Sequence, residues 1–155
     1  MINTRIAVMT AALSFTVSAA SFAANTQLGT WKLDESKSKL ESGRGRNTMV
    51  VYSEQKDKIK VTVDGVDKDG KPQHGVWVGK FDGKAYPVKG NLGFDSIAYK
   101  VINDRTNDIT TMNGGKTTST GRIEVSKDGK SRTITIEGTD ENGRKFKSKG
   151  VYDKQ

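Results

Sequence analysis

The chain has no cysteine and a single histidine, His74, among 155 residues. Without cysteine there is no disulfide framework, no thiolate nucleophile or metal ligand, and no lipid anchored on a processed N-terminal cysteine. One histidine without a recognisable nucleophile elbow around it leaves no Ser–His–acid arrangement to propose. Asp67-Lys68-Asp69-Gly70 opens like a calcium loop, but Gly75 and Val76 stand where a closing carboxylate is needed, so the segment reads as a hairpin turn. The glycine-rich stretches lie between expected strands instead of ahead of a helix, which excludes a phosphate cradle of the usual kind. No pair of acids is singled out for general acid–base work. The expectation is a protein that is not an enzyme, with no metal and no cofactor.

Apolar residues are also scarce. Beyond residue 23 they number 36 of 132. So thin a supply suits a barrel or sandwich in which each strand buries one face. The one long apolar stretch is at the start. Met1–Arg5 is polar and basic, residues 6–17 are mostly apolar, and residues 18–24 are rich in small side chains. This is the pattern of a secretory signal peptide, with Ser21-Phe22-Ala23 as the cleavage site. The run is too short for a permanent membrane span. The expected organisation is therefore a leader over 1–23 and one domain over 24–155, in a periplasmic or secreted protein. Past the leader, 25 basic residues face 18 acidic ones, a net charge of +7. Lys and Arg are spread along the whole chain, not gathered on one segment as a nucleic-acid surface requires. That reads as a solvated basic surface, with no nucleic-acid partner and no stable membrane insertion.

What the sequence does contain is alternation. Ile59, Val61 and Val63 alternate with Lys58, Lys60 and Thr62; Ile97, Tyr99 and Val101 with Ala98, Lys100 and Ile102; Ile134 and Ile136 with Thr133, Thr135 and Glu137; and Phe146, Ser148, Gly150 and Tyr152 with Lys145, Lys147, Lys149 and Val151. Successive side chains of a strand point to opposite faces, so these are half-buried strands. Turn dipeptides separate them: Asp69-Gly70, Asp82-Gly83, Gly114-Gly115, Asp128-Gly129 and Asn142-Gly143. Ten strands are predicted, near 26–33, 47–54, 57–64, 73–82, 85–89, 95–103, 107–113, 116–126, 131–139 and 144–153. A meander of that length leaves two open edges unless it closes. The predicted class is all-β, an antiparallel up-and-down meander closing into a barrel of about eight to ten strands. Residues 34–46 hold at most a turn or two of helix. The segment 61–71 also echoes 134–144 at an offset of 73, which fits either a duplicated unit or two hairpins made of the same few residues.

The two ends of the chain carry a resemblance. Gly29-Thr30-Trp31-Lys32-Leu33 resembles the opening of the calycins, the lipocalin and fatty-acid-binding protein group, where a Gly-x-Trp on the first strand closes one barrel end. Gly115-Lys116-Thr117-Thr118, Arg122, the strand through Ile134-Thr135-Ile136 and the close at Gly150-Val151-Tyr152-Asp153-Lys154 are similar to the last three strands of fatty-acid-binding proteins. The resemblance implies a lipocalin-like barrel with an interior ligand. In that group an Arg-x-Tyr on the last strand and a second Arg hold the ligand carboxylate. Tyr152 matches the Tyr and Arg122 is placed to match the second Arg, but Gly150 stands where the first Arg belongs.

The candidate pocket lining is Trp31, Trp77, Phe81, Arg122, Phe146 and Tyr152. Trp77 and Phe81 share a face with Gly75 and Gly79, a mixture that fits a small-molecule cavity and equally a packed core with polar handles. Arg122 competes for the inward face of its strand with Ile123 and Val125. Two readings follow. One is a monomeric carrier of a lipid-like or other apolar or amphipathic molecule. The other is a protein-interaction module, such as an inhibitor, assembly factor or surface-associated protein, with a filled barrel. Cavity volume separates them.

Overall fold

The structure is a computed structural model, and it describes residues 25–155. The expected leader over 1–23 lies outside the described residues.

Ten antiparallel strands follow one another in chain order: β1 (Gly29–Leu33), β2 (Arg46–Gln55), β3 (Lys58–Val66), β4 (Pro72–Gly79), β5 (Asp82–Gly90), β6 (Ser96–Asn103), β7 (Thr106–Asn113), β8 (Lys116–Val125), β9 (Ser131–Thr139) and β10 (Lys145–Lys154). Each pairs with its neighbours in sequence, and β1 pairs with β10, so the sheet closes on itself with no free edge. The first and last strands meet in a short register, Trp31 opposite Lys154 and Leu33 opposite Tyr152. Past Leu33 the seam is continued by the β1–β2 connection, where Lys39 and Lys149 exchange backbone hydrogen bonds of 2.8 and 2.9 Å.

That connection holds one short 3₁₀ turn, Glu35–Lys37, capped by the Asp34 carboxylate, which accepts from the backbone N–H of Ser36 at 3.0 Å and Lys37 at 3.3 Å. Strand ends differ from expectation by three residues at three places, one of them the start of β5, at Asp82 and not at 85. Strand β1 begins at Gly29, not at 26, because residues 25–28 fold back across the barrel mouth. Gly29 takes φ +118° to make that change of direction. Strand β4 stops at Gly79, and Phe81 belongs to the β4–β5 connection.

The two turns of the echo at an offset of 73 are built alike. In the β3–β4 turn the Asp67 carboxylate accepts from the backbone N–H of Asp69 and Lys71, both at 2.9 Å. In the β9–β10 turn the Asp140 carboxylate accepts from Asn142 at 3.0 Å and Arg144 at 2.8 Å. Gly70 and Gly143 both sit at φ +77°. Both turns have an aspartate that caps its own turn and a glycine three residues on. The calcium-like Asp67 is thus a turn residue.

The inward face is apolar and aromatic. Trp31, Val61 and Ile123 are wholly buried, and Val50, Tyr52, Val63, Trp77, Ile97, Tyr99, Val125 and Tyr152 nearly so. One barrel end is shut. Residues 25–28 lie over it, held by Trp31 Nε1–H donating to Gln27 O at 2.8 Å and by Thr26 Oγ1–H donating to Asp104 O at 2.6 Å. The opposite end carries the 34–45 connection. No helix among the described residues is long and apolar enough to cross a membrane.

Candidate ligand site

The interior divides into three zones, two at the shut end and one toward the other end. Near the shut end, Tyr52, Trp77, Phe81, Tyr86 and Tyr99 form one aromatic cluster. Trp77 and Tyr99 meet edge to face at 4.8 Å between centroids, Trp77 and Tyr86 at 5.7 Å, and Phe81 and Tyr99 are 5.1 Å apart. Trp77 Nε1–H donates to Ile97 O at 3.0 Å, so the indole is anchored as well as packed. The glycines on this face leave no void. A Cβ on Gly79 would stand 2.6 Å from both Trp77 Cζ2 and Tyr86 Cγ, and one on Gly75 would stand 2.5 Å from the Leu92 side chain. Gly79 makes room for rings near the shut end and Gly75 makes room for Leu92, which folds in from the β5–β6 connection at the other end, so the mixed lining read from the sequence is packed core along this wall.

Across the barrel, still at the shut end, Arg132 of β9 is 1 % exposed. Its guanidinium lies over Trp31 at 4.9 Å, Tyr52 at 4.8 Å and Tyr152 at 5.2 Å, an arrangement that attracts a cation to three ring faces. Nη1–H donates to Gln27 Oε1 at 3.4 Å. Tyr152 turns its hydroxyl to Asn47 O at 2.9 Å. Burial, opposed by the Arg132 charge, pushes the Tyr152 phenol up to about 12. Burial beside Tyr52 raises the Tyr99 phenol well above its ordinary value.

Toward the other end the lining changes. Cross-strand register places Ile134 against Gly150 and Ile136 against Ser148 and Gly121, on the same face as buried Arg132 and Ile123. These positions point inward, yet Ile134, Ile136 and Ser148 remain partly exposed. Hydroxyls gather beside them: Thr111 Oγ1 lies 2.6 Å from Ser119 Oγ and 2.8 Å from Thr118 Oγ1. At the rim Phe146 lies across Gly138, and the guanidinium of Arg44, from the β1–β2 connection, stacks 3.4 Å above the Phe146 ring. Ser148 Oγ accepts from the Glu41 backbone N–H at 2.9 Å, tying that connection to the mouth. A solvent-open depression of about 590 Å³ lies beside this rim, lined by Glu41, Gly138 and Phe146 and, for the greater part, by outward-facing residues of β8–β10 such as Thr120, Glu137 and Lys147.

The six candidate residues therefore do not converge on one pocket. Trp31 and Tyr152 stand around Arg132, Trp77 and Phe81 belong to the aromatic cluster, and Phe146 is at the open rim. Arg122 is outside the barrel. Its Nε–H donates to Asp108 Oδ1 at 2.8 Å and its side chain is about half exposed. Wholly buried Ile123 and nearly buried Val125 take the inward face of β8, and parity sends Arg122 out. The interior arginine is Arg132. The alternation that puts Ile134 and Ile136 inside puts Arg132 inside too, so its position was available from the sequence. Arg44 and Gln27, on irregular segments, had no such signal. His74 lies on the outer surface with Nδ1 2.6 Å from Asp64 Oδ1, and no group of three metal-ligating side chains occurs among the described residues.

Comparison with known proteins gives fold similarity alone. No protein-family model matches the chain, and no curated protein does. Among solved structures the chain is similar to EF1p2_mFAP2b bound to DFHBI, at 15 % identity and a TM-score of 0.50, over 86 % of this chain and 97 % of that one. It is also similar to the redesigned beta barrel mFAP1 bound to DFHBI, at 18 % identity and a TM-score of 0.46, over 85 % and 98 %. The class these observations define is a closed ten-stranded antiparallel up-and-down barrel.

Proposed function

We propose that the protein is an exported, non-catalytic carrier that seats a small apolar or amphipathic molecule in the open half of its barrel. The observation that carries this is the partial exposure of Ile134, Ile136 and Ser148, which face the interior. An inward isoleucine that solvent can reach is apolar surface left for a partner, because a finished core would have covered it. The nearby hydroxyls of Thr111, Thr118 and Ser119 supply a few polar contacts to orient a polar group, and the Arg44–Phe146 stack sits where a ligand would enter. The similarity to a barrel bound to DFHBI is compatible with such a role for the architecture. Export rests on the leader-like residues 1–23.

The test is a fluorescence titration with 1-anilinonaphthalene-8-sulfonate, followed by displacement with single-chain amphiphiles. Saturable one-to-one binding that is lost in Ile136→Arg, with the fold intact by circular dichroism, supports the carrier. Failure of the probe and of every amphiphile to bind the folded wild type favours the interaction module.

A further inference from the structure

We infer that Arg132 and Gln27 form a buried site for a small carboxylate-type monoanion at the shut end of the barrel. The inference does not rest on the carrier reading, because a free ion can occupy the site in a barrel that carries nothing else.

Among the described residues Arg132 lacks a charged partner. Its charge is taken almost completely out of water. No acidic side chain among the described residues lies within ion-pair distance of it; the other ion pairs are on the surface. A buried charge is tolerated when it is paired and its hydrogen-bonding atoms are satisfied. The three ring faces of Trp31, Tyr52 and Tyr152 attract the cation but do not accept along its in-plane N–H directions.

Three buried side-chain atoms among the described residues have no hydrogen-bond partner: Arg132 Nε, Arg132 Nη2 and Gln27 Nε2. All three are donors, and they belong to two side chains in contact through Arg132 Nη1 and Gln27 Oε1. Rotating the Gln27 amide does not remove the imbalance, since that would set two donors against each other. Nε and Nη2 form the edge of the guanidinium that a carboxylate meets with two parallel hydrogen bonds. The partner that completes this cluster accepts several hydrogen bonds, donates none and carries one negative charge. A carboxylate does all three, and a water supplies no charge.

The carboxylate has two possible sources, a free ion or the head of an amphipathic molecule lying along the barrel axis. Thermal melting at constant ionic strength separates them. The full mature chain is melted in bulky MES anion as reference, then in formate, decanoate and decanol, with tryptophan emission followed in parallel. At a formate concentration ten times its dissociation constant the melting temperature is expected to rise by about 5 °C over the reference, with a change in tryptophan emission as the ion seats beside Trp31. Decanoate acting at concentrations at least tenfold below formate, with decanol inert, identifies an amphiphile head; formate acting alone identifies a free ion.

Arg132→Met should abolish the rise. If that variant does not fold, Gln27→Leu keeps the arginine and should raise the formate concentration needed by tenfold or more. No rise above the MES reference in the wild type, or the same rise in Arg132→Met, overturns the proposal.

Discussion

Replacing Trp31 by alanine removes the largest side chain that the structure buries completely. The indole carries three interactions. Its ring fills the shut end between β2 and β10, where register places Val50 on one side and Lys154 on the other. Its Nε1–H satisfies Gln27 O. Its face holds the Arg132 guanidinium at 4.9 Å. A Trp→Ala change in a core costs about 3–5 kcal/mol. Stranding the Gln27 carbonyl costs about 1–3 kcal/mol more if it stays buried, and losing one face of a desolvated cation adds roughly 1–2 kcal/mol. The shut end can relax by letting residues 25–28 move into solvent, so these do not add in full. The expected loss is about 4–6 kcal/mol, close to the whole stability of an ordinary domain. Urea denaturation followed by circular dichroism gives the number. Trp31→Phe is the control: it keeps most of the volume and loses the N–H, and should cost about 1–2 kcal/mol. A loss below about 1.5 kcal/mol for Trp31→Ala would refute the view that this residue plugs the barrel.

Three other outcomes are expected. The Tyr152 phenol ionises at about 12 in the folded barrel against roughly 10 when unfolded. Its contribution, about 3 kcal/mol, is complete below pH 10 and is lost as the pH rises to 12, so alkaline melts should steepen there in the wild type and less in Tyr152→Phe. Arg122→Ala removes an exposed pair on the outer wall and should change stability by no more than about 1 kcal/mol, with probe binding unaltered; a large loss of binding would place Arg122 in the site after all. Asp67→Ala and Asp140→Ala each strip two backbone N–H groups of their turn acceptor and should each cost about 1 kcal/mol, nearly additively, as a double variant would show.

The barrel was legible because its signals are local. Alternation at Ile59-Val61-Val63 and Phe146-Ser148-Gly150-Tyr152, cut by Asp-Gly and Asn-Gly turns, fixes strands and their inner faces without reference to the rest of the chain. Closure followed from the count of strands and the cost of open edges. The site was less legible, because it depends on which inward positions are covered. Gly75 and Gly79 look like cavity lining in one dimension, and only the three-dimensional arrangement shows Leu92 and Tyr86 filling the space over them. The family pattern points to Arg122, whereas the alternation of β9 carries Arg132 inward together with Ile134 and Ile136. Arg44 reaches the mouth from an irregular connection, where no periodicity reports direction.

The carrier reading turns most directly on whether the open half is occupied. Native mass spectrometry of the protein, purified without detergent, reads this in one step, with an Ile136→Arg variant beside it. The expected result is a stoichiometric small-molecule adduct on the wild type, released by solvent extraction and missing from the variant. Bare protein in both, unchanged after incubation with a mixed lipid extract, would contradict the carrier and leave a barrel that works through its outer surface.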